Sequence, residues 1–107
     1  MFCYGGKILE VDLSTGEGVK RILDEKFAMK YLGGDGFGAY FMNKVVDAKQ
    51  DAFSPKNAII VAPGLLVGTA VPTAGKTAFF SKSSLYQACY ESVMGGRIGV
   101  ALKQAGY

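Results

Sequence analysis

The chain has 107 residues, half of them apolar, with 15 glycines, three prolines and a formal charge of +3, a length and composition that support one domain with a buried core and set it apart from disordered chains. Its 12 basic residues are scattered rather than gathered into the positive stripe that nucleic-acid binding requires. The longest apolar stretches, Ala58 to Ala62 and Leu65 to Val67, are broken by Pro63 and Gly64 and fall far short of the roughly 20 residues of a membrane span, while Met1 to Gly6 lacks the basic start and apolar block of a secretory signal.

In chain order, Lys7 to Leu13 alternates, with Leu9, Val11 and Leu13 opposite Ile8, Glu10 and Asp12. Ser14-Thr15-Gly16 follows as a turn before Glu17 to Ile22, so a β-hairpin is expected. Asp24 can cap a helix carrying Leu23, Phe27, Ala28, Tyr31 and Leu32 at helical spacing, with Gly33 or Gly34 as its end. A second helix is predicted from about Phe37 to Val46, with an apolar face wide enough to be covered on more than one side. Ala58 to Ala62 reads as a buried strand and Gly64 to Gly75 as a loop rich in Gly, Pro and Thr. Thr77 to Ser81 and Leu85 to Tyr90 are strand candidates joined by Lys82-Ser83-Ser84, with Val93-Met94 as a turn. A last helix runs from about Gly96 to Ala105, its apolar set being Ile98, Ala101, Leu102 and Ala105. Locally paired, mainly antiparallel strands with helices between the pairs give an α+β domain, not a doubly wound parallel sheet.

Cys3 and Cys89 match no metal-ligand spacing and read as the reduced thiols of a cytoplasmic protein. The absence of histidine excludes a Ser-His-Asp or Cys-His nucleophile system and a His-ligated zinc site within this chain. Ala70 to Thr77 fits a relaxed P-loop with Lys76 as its lysine, but a strand is expected where a P-loop needs a helix, and no aspartate follows Asp51 to serve magnesium. Gly34 to Ala39 fits a dinucleotide fingerprint, yet follows a helix where that motif needs a strand. Gly95-Gly96, ahead of the last helix, reads equally as a phosphate site at a helix start, with Lys76 adding charge, or as a turn permitting tight packing.

Four blocks carry a family resemblance: Tyr4-Gly5-Gly6-Lys7-Ile8-Leu9-Glu10-Val11-Asp12-Leu13-Ser14-Thr15-Gly16, Tyr31-Leu32-Gly33-Gly34-Asp35-Gly36, the run from Ala62 to Lys76, and the run from Gly95 to Tyr107. In that order and spacing they closely resemble the N-terminal domain of aldehyde ferredoxin oxidoreductases, across essentially the whole of residues 1–107. The resemblance implies a base for a tungsten, or in some members molybdenum, bis-pterin cofactor beside a [4Fe-4S] cluster, and aldehyde oxidation to the carboxylic acid with ferredoxin as electron acceptor. It also implies that cluster cysteines and acid-base residues come from later domains. Residues 1–107 are then about half of the family's N-terminal pterin-binding domain, inactive alone and partnered by the remainder of the enzyme chain, with a homodimer compatible and neither nucleic acid nor membrane involved.

The family's pterin contacts carry over to Lys76, Val93 and Gly95, and the Val93 carbonyl takes the place of one that helps bind magnesium between the pterin phosphates. An arginine is usual where Lys76 stands, an asparagine can occupy the place of Val93, and Asp35 replaces a frequent arginine. Lysine keeps the charge but loses the planar fork for bidentate phosphate contact. Two other readings stand beside this one: a bis-pterin subunit for another low-potential reduction, such as that of an aromatic thioester, and a cofactor-free assembly domain.

Overall fold

The computed structural model describes residues 2–107. Its elements are β1 (Lys7–Asp12), β2 (Glu17–Ile22), α1 (Glu25–Tyr31), α2 (Asp35–Val45), β3 (Ile60–Pro63), β4 (Thr77–Lys82), β5 (Cys89–Met94) and α3 (Ile98–Gln104). β1 and β2 form one antiparallel ribbon, and β3, β4 and β5 form a separate antiparallel sheet with β4 in the middle. The expected α+β class is what the chain adopts.

The hairpin closes where the turn residues demand it. The Asp12 carboxylate accepts from the Ser14 N–H at 2.8 Å, the Asp12 carbonyl accepts from the Gly16 N–H at 2.8 Å, and Gly16 takes a φ of 76°, a region that costs glycine nothing. Asp24 caps α1 by accepting from the Phe27 N–H at 2.8 Å. The helix ends at Leu32, itself at φ 65°, one residue before the glycines expected there, and Gly34 then serves as the N-cap of α2. α2 therefore starts two residues earlier than its apolar pattern indicates. The two-sided face expected of it is real. Phe37, Tyr40 and Phe41 pack on Phe27 at centroid distances of 4.7–5.6 Å, while Gly38 and Met42 turn toward the sheet.

The three-stranded sheet holds the core between helices of different faces. Alternation places Ala78, Phe80 and Lys82 of β4 on one face, and there Ala78 and Phe80 meet Met42 of α2, with Val46 and Ile60 at the margin. On the opposite face α3 lies over Thr77, close enough that a Cβ at Gly99 would strike the Thr77 hydroxyl oxygen. Thr77 is fully buried and that oxygen has no hydrogen-bond partner.

Four expectations need correction. The strand placed at Leu85 to Tyr90 begins only at Cys89, because Ser83 builds a turn: its hydroxyl accepts from the Leu85 and Tyr86 N–H groups and its carbonyl from Gln87. Val93 and Met94, read as a turn, are the end of β5. The last helix is shorter than Gly96 to Ala105, since Gly96 has a φ of 100° and cannot be helical. Lys82, read as part of a polar connection, is buried at the end of β4, where its ammonium donates to the Ala48 carbonyl at 2.7 Å and the Asp47 carbonyl at 3.3 Å.

Two stability outcomes follow from this packing. A Cβ at Gly38 would land on the Phe80 ring, so Gly38→Ala should lower stability by about 1–3 kcal/mol in urea unfolding although alanine is the better helix former. Lys82→Met strips two carbonyls of a charged donor and should cost about 1.5–3 kcal/mol in the same measurement.

Candidate functional site

The loop between β3 and β4 is closed at its root by the Gly64 N–H, which donates to the Lys76 carbonyl at 3.1 Å. Lys76 thus enters β4 in a fixed setting, and Thr77 directly after it is strand, not the helix of a P-loop. Gly34 to Ala39 likewise forms the N-cap and first turn of α2 and follows a helix instead of a strand, so neither nucleotide motif has its required context.

What Lys76 meets is set by the pairing of β4 with β5. Thr77 pairs with Met94 and Ala78 with Val93, and one further step of that register puts Lys76 opposite Gly95. The approach is close, for a Cβ at Gly95 would lie 3.8 Å from the Lys76 ammonium nitrogen. Alternation places the side-chain positions of Val93, Gly95 and Lys76 on the same face. All three residues singled out from the sequence are therefore neighbours.

The Val93 carbonyl faces outward. The Lys82 N–H and carbonyl bond to Asn57 on the β3 side of β4 at 3.3 Å each, whereas the Ser83 N–H reaches Ala88 on the β5 side at 2.8 Å. Backbone direction alternates along a strand, so Ala78 also points to the β3 side and its partner Val93 directs its N–H and carbonyl to the open edge of β5. That oxygen is a hard ligand of the kind magnesium takes. Among the described residues no group of three or more His, Cys, Asp or Glu is placed to hold a metal ion. The residues present thus fit a phosphate and a backbone-bound magnesium, and offer no side-chain ligand set to a transition metal or a cluster.

Around this point lies an open depression of about 410 Å³ whose lining includes Thr69, Thr73, Gly75, Lys76, Gly95 and Gly96. Thr73 is held at φ 61°, a conformation that costs a β-branched residue energy and that clusters at ligand sites. Thr69, Thr73 and Gly75 escape a reading of the sequence, where the loop's Gly, Pro and Thr content is their only signal. The helix-start explanation of Gly95-Gly96 does not hold, because α3 begins at Ile98 and has seven residues; Gly95 matters through its place opposite Lys76.

Two charged groups on β5 and α3 have shifted acidities. On β5, desolvation, together with the protonated Glu91 carboxyl's hydrogen bonding to Asp35 and the negative charge of Asp35, raises the Glu91 carboxyl above its usual value. On α3, burial lowers the pKa of Lys103 from 10.5, with Cys3 opposing. The Lys103 ammonium donates to the carbonyls of Leu65 at 2.6 Å and of Gly64 and Cys3 at 2.8 Å. No helix of the described residues is long and apolar enough to cross a membrane.

Comparison with known proteins places the chain in a family. Residues 8–107 match the family model described as aldehyde ferredoxin oxidoreductase, N-terminal domain. The whole chain is 46% identical to a tungsten-containing aldehyde ferredoxin oxidoreductase of Pyrococcus horikoshii and 36% identical to an aliphatic sulfonate oxidoreductase, WOR-like subunit, of Pyrococcus furiosus. It spans 18% and 17% of their lengths. Among solved structures, the active site complex BamBC of benzoyl coenzyme A reductase, in complex with 1,5 dienoyl-CoA, superimposes with a TM-score of 0.91 at 34% identity, over 98% of this chain and 16% of that one. The chain belongs to the aldehyde ferredoxin oxidoreductase family, whose N-terminal domain it matches.

Proposed function

We propose that this chain forms part of the seat of a tungsten bis-pterin cofactor, in an oxidoreductase that converts aldehydes to carboxylic acids with ferredoxin as electron acceptor. The observation that carries the reading is the convergence of the Lys76 ammonium, Gly95 and the outward Val93 carbonyl at the end of the β4–β5 pair. A pterin phosphate matches that set. Lys76 would supply a charge-assisted hydrogen bond, Gly95 would let the phosphate approach the backbone, and the Val93 carbonyl would offer an oxygen ligand to a magnesium at the pterin phosphates.

Once bound, the tungsten centre supplies two-electron redox chemistry and a [4Fe-4S] cluster passes the electrons on singly. The task of this chain is to bind and orient, since in this reading the cluster cysteines and the acid-base residues belong to the remainder of the enzyme. The named activities of the relatives support an oxidoreductase, and residues 1–107 alone are then inactive. A cytoplasmic enzyme, with a homodimer as its compatible assembly, completes the reading. Molybdenum would fit the same phosphate seat.

A second reading, reduction of an aromatic thioester on the same kind of cofactor, is favoured by the likeness to the benzoyl coenzyme A reductase complex. The two readings share the phosphate seat and diverge in the substrate pocket.

The shared part is tested by cofactor loading in the full-length enzyme. One charged hydrogen bond is worth about 1.5–3 kcal/mol, so Lys76→Ala should retain pterin and tungsten roughly tenfold to a hundredfold less well, both falling together in elemental and pterin analysis. Lys76→Arg should keep most of both, and Gly95→Val, whose branches would press on the ammonium, should lose loading. The comparison lysine is the exposed Lys56, because Lys82 is structural. Equal loading of Lys76→Ala and Lys56→Ala would remove the phosphate seat from Lys76.

A further inference from the structure

Lys103 lies on α3, and its ammonium makes three hydrogen bonds to backbone carbonyls: Leu65 at 2.6 Å, Gly64 at 2.8 Å and Cys3 at 2.8 Å. An ammonium has three donors and no acceptor, so each donor is used and none is left for a ligand anion. The acceptors are far away in sequence, 38, 39 and 100 residues from the lysine. This arrangement is a tie between three segments, not a second anion site.

What it ties is the root of the loop that carries Lys76. Gly64 is gripped through both of its backbone polar groups, its carbonyl by Lys103 at 2.8 Å and its N–H by the Lys76 carbonyl at 3.1 Å. The tie is two bonds long from Lys103 to the Lys76 backbone. The same helix presents Val100 to the depression beside Lys76 and Gly95, so α3 borders the site as well as holding its loop. Burial lowers the Lys103 pKa, as expected for a cation held by dipoles without a carboxylate.

We propose that Lys103 is a positioning residue for the phosphate seat: by fixing the Gly64–Leu65 root it holds Lys76 opposite Gly95 and sets the affinity of the site for phosphate. This rests on the reading of Lys76 as a phosphate contact, and the experiment separates the two. Lys103 itself touches no ligand.

The test uses the full-length enzyme stripped of its cofactor, amide hydrogen exchange, and titration with inorganic pyrophosphate followed by exchange at Gly95. In Lys103→Met, exchange protection at the Gly64 amide should fall about tenfold or more, the scale of one charge-assisted hydrogen bond. Protection across the β1–β2 and β3–β4 pairs should stay as in the wild type, and pyrophosphate affinity should fall by a similar factor. Lys76→Ala should lose pyrophosphate affinity while keeping Gly64 protection, because the bond to Gly64 uses the Lys76 backbone. Unchanged Gly64 protection and affinity in Lys103→Met would overturn the proposal. Uniform loss of protection through the whole chain would overturn it too, by making Lys103 a residue of general stability. If Lys76→Ala binds pyrophosphate as tightly as the wild type, the phosphate seat fails and the affinity half of the proposal with it, whereas Gly64 exchange still decides the tie. Should Lys103→Met not fold, Lys103→Gln is judged by the same measurements.

Discussion

The register of β4 against β5 is the constraint on which the site depends. With Thr77 opposite Met94, the next step brings Lys76 to Gly95 and turns the Val93 carbonyl to the sheet edge. A slip of one residue would exchange the two faces of β5, moving Met94 to the face of Lys76 and turning the Val93 carbonyl in against β4. Nothing in the loop could restore the arrangement, since it is anchored to the same strand through the Gly64–Lys76 bond. The core fixes the β4 side of that register: Ala78 and Phe80, on the same face of β4 as Lys76, are buried against Met42.

Glycine lets two helices approach this sheet from opposite sides. Gly38 of α2 lies against the Phe80 ring and Gly99 of α3 against the Thr77 hydroxyl, with no room for a Cβ at either position. The Thr77 hydroxyl oxygen is buried without a partner, a cost of about 1–3 kcal/mol on the usual scale. Close packing of α3 on the sheet is its counterpart, and that packing brings Lys103 over the loop root. Stability and site geometry are therefore coupled through one short helix. The hairpin stands apart from this system: Leu9, Val11 and Val19 are all exposed, and its Arg21–Glu10 ion pair is a solvent-facing contact of 2.9 Å that contributes little.

Local chemistry was legible in the sequence, and long-range satisfaction was not. The hairpin follows from alternation plus a Ser-Thr-Gly turn, and α1 from Asp24 at its start, because each depends on residues close in the chain. β5 was misplaced because Leu85 and Tyr86 are apolar and look like strand residues; they stand exposed at 77% and 71% on the turn built by Ser83. Phe80 is a core residue at 5% exposure, while Tyr86 and Tyr90, aromatic as well, are exposed. Lys82 and Lys103 look like ordinary surface lysines, since carbonyls that satisfy a buried ammonium leave no mark in sequence. Lys76, Val93 and Gly95 could be named through family resemblance, but only the β4–β5 register shows why they meet.

The account's central claim is that Lys76 and Gly95 form one phosphate seat. Its most direct test is a crystal structure of the tungsten-loaded full-length enzyme. The account predicts a pterin phosphate with an oxygen about 2.7–2.9 Å from the Lys76 ammonium, lying over Gly95, and a magnesium bound by the Val93 carbonyl. A pterin whose phosphates lie elsewhere, with Lys76 turned to solvent and the Val93 carbonyl bonded to a neighbouring strand, would contradict it.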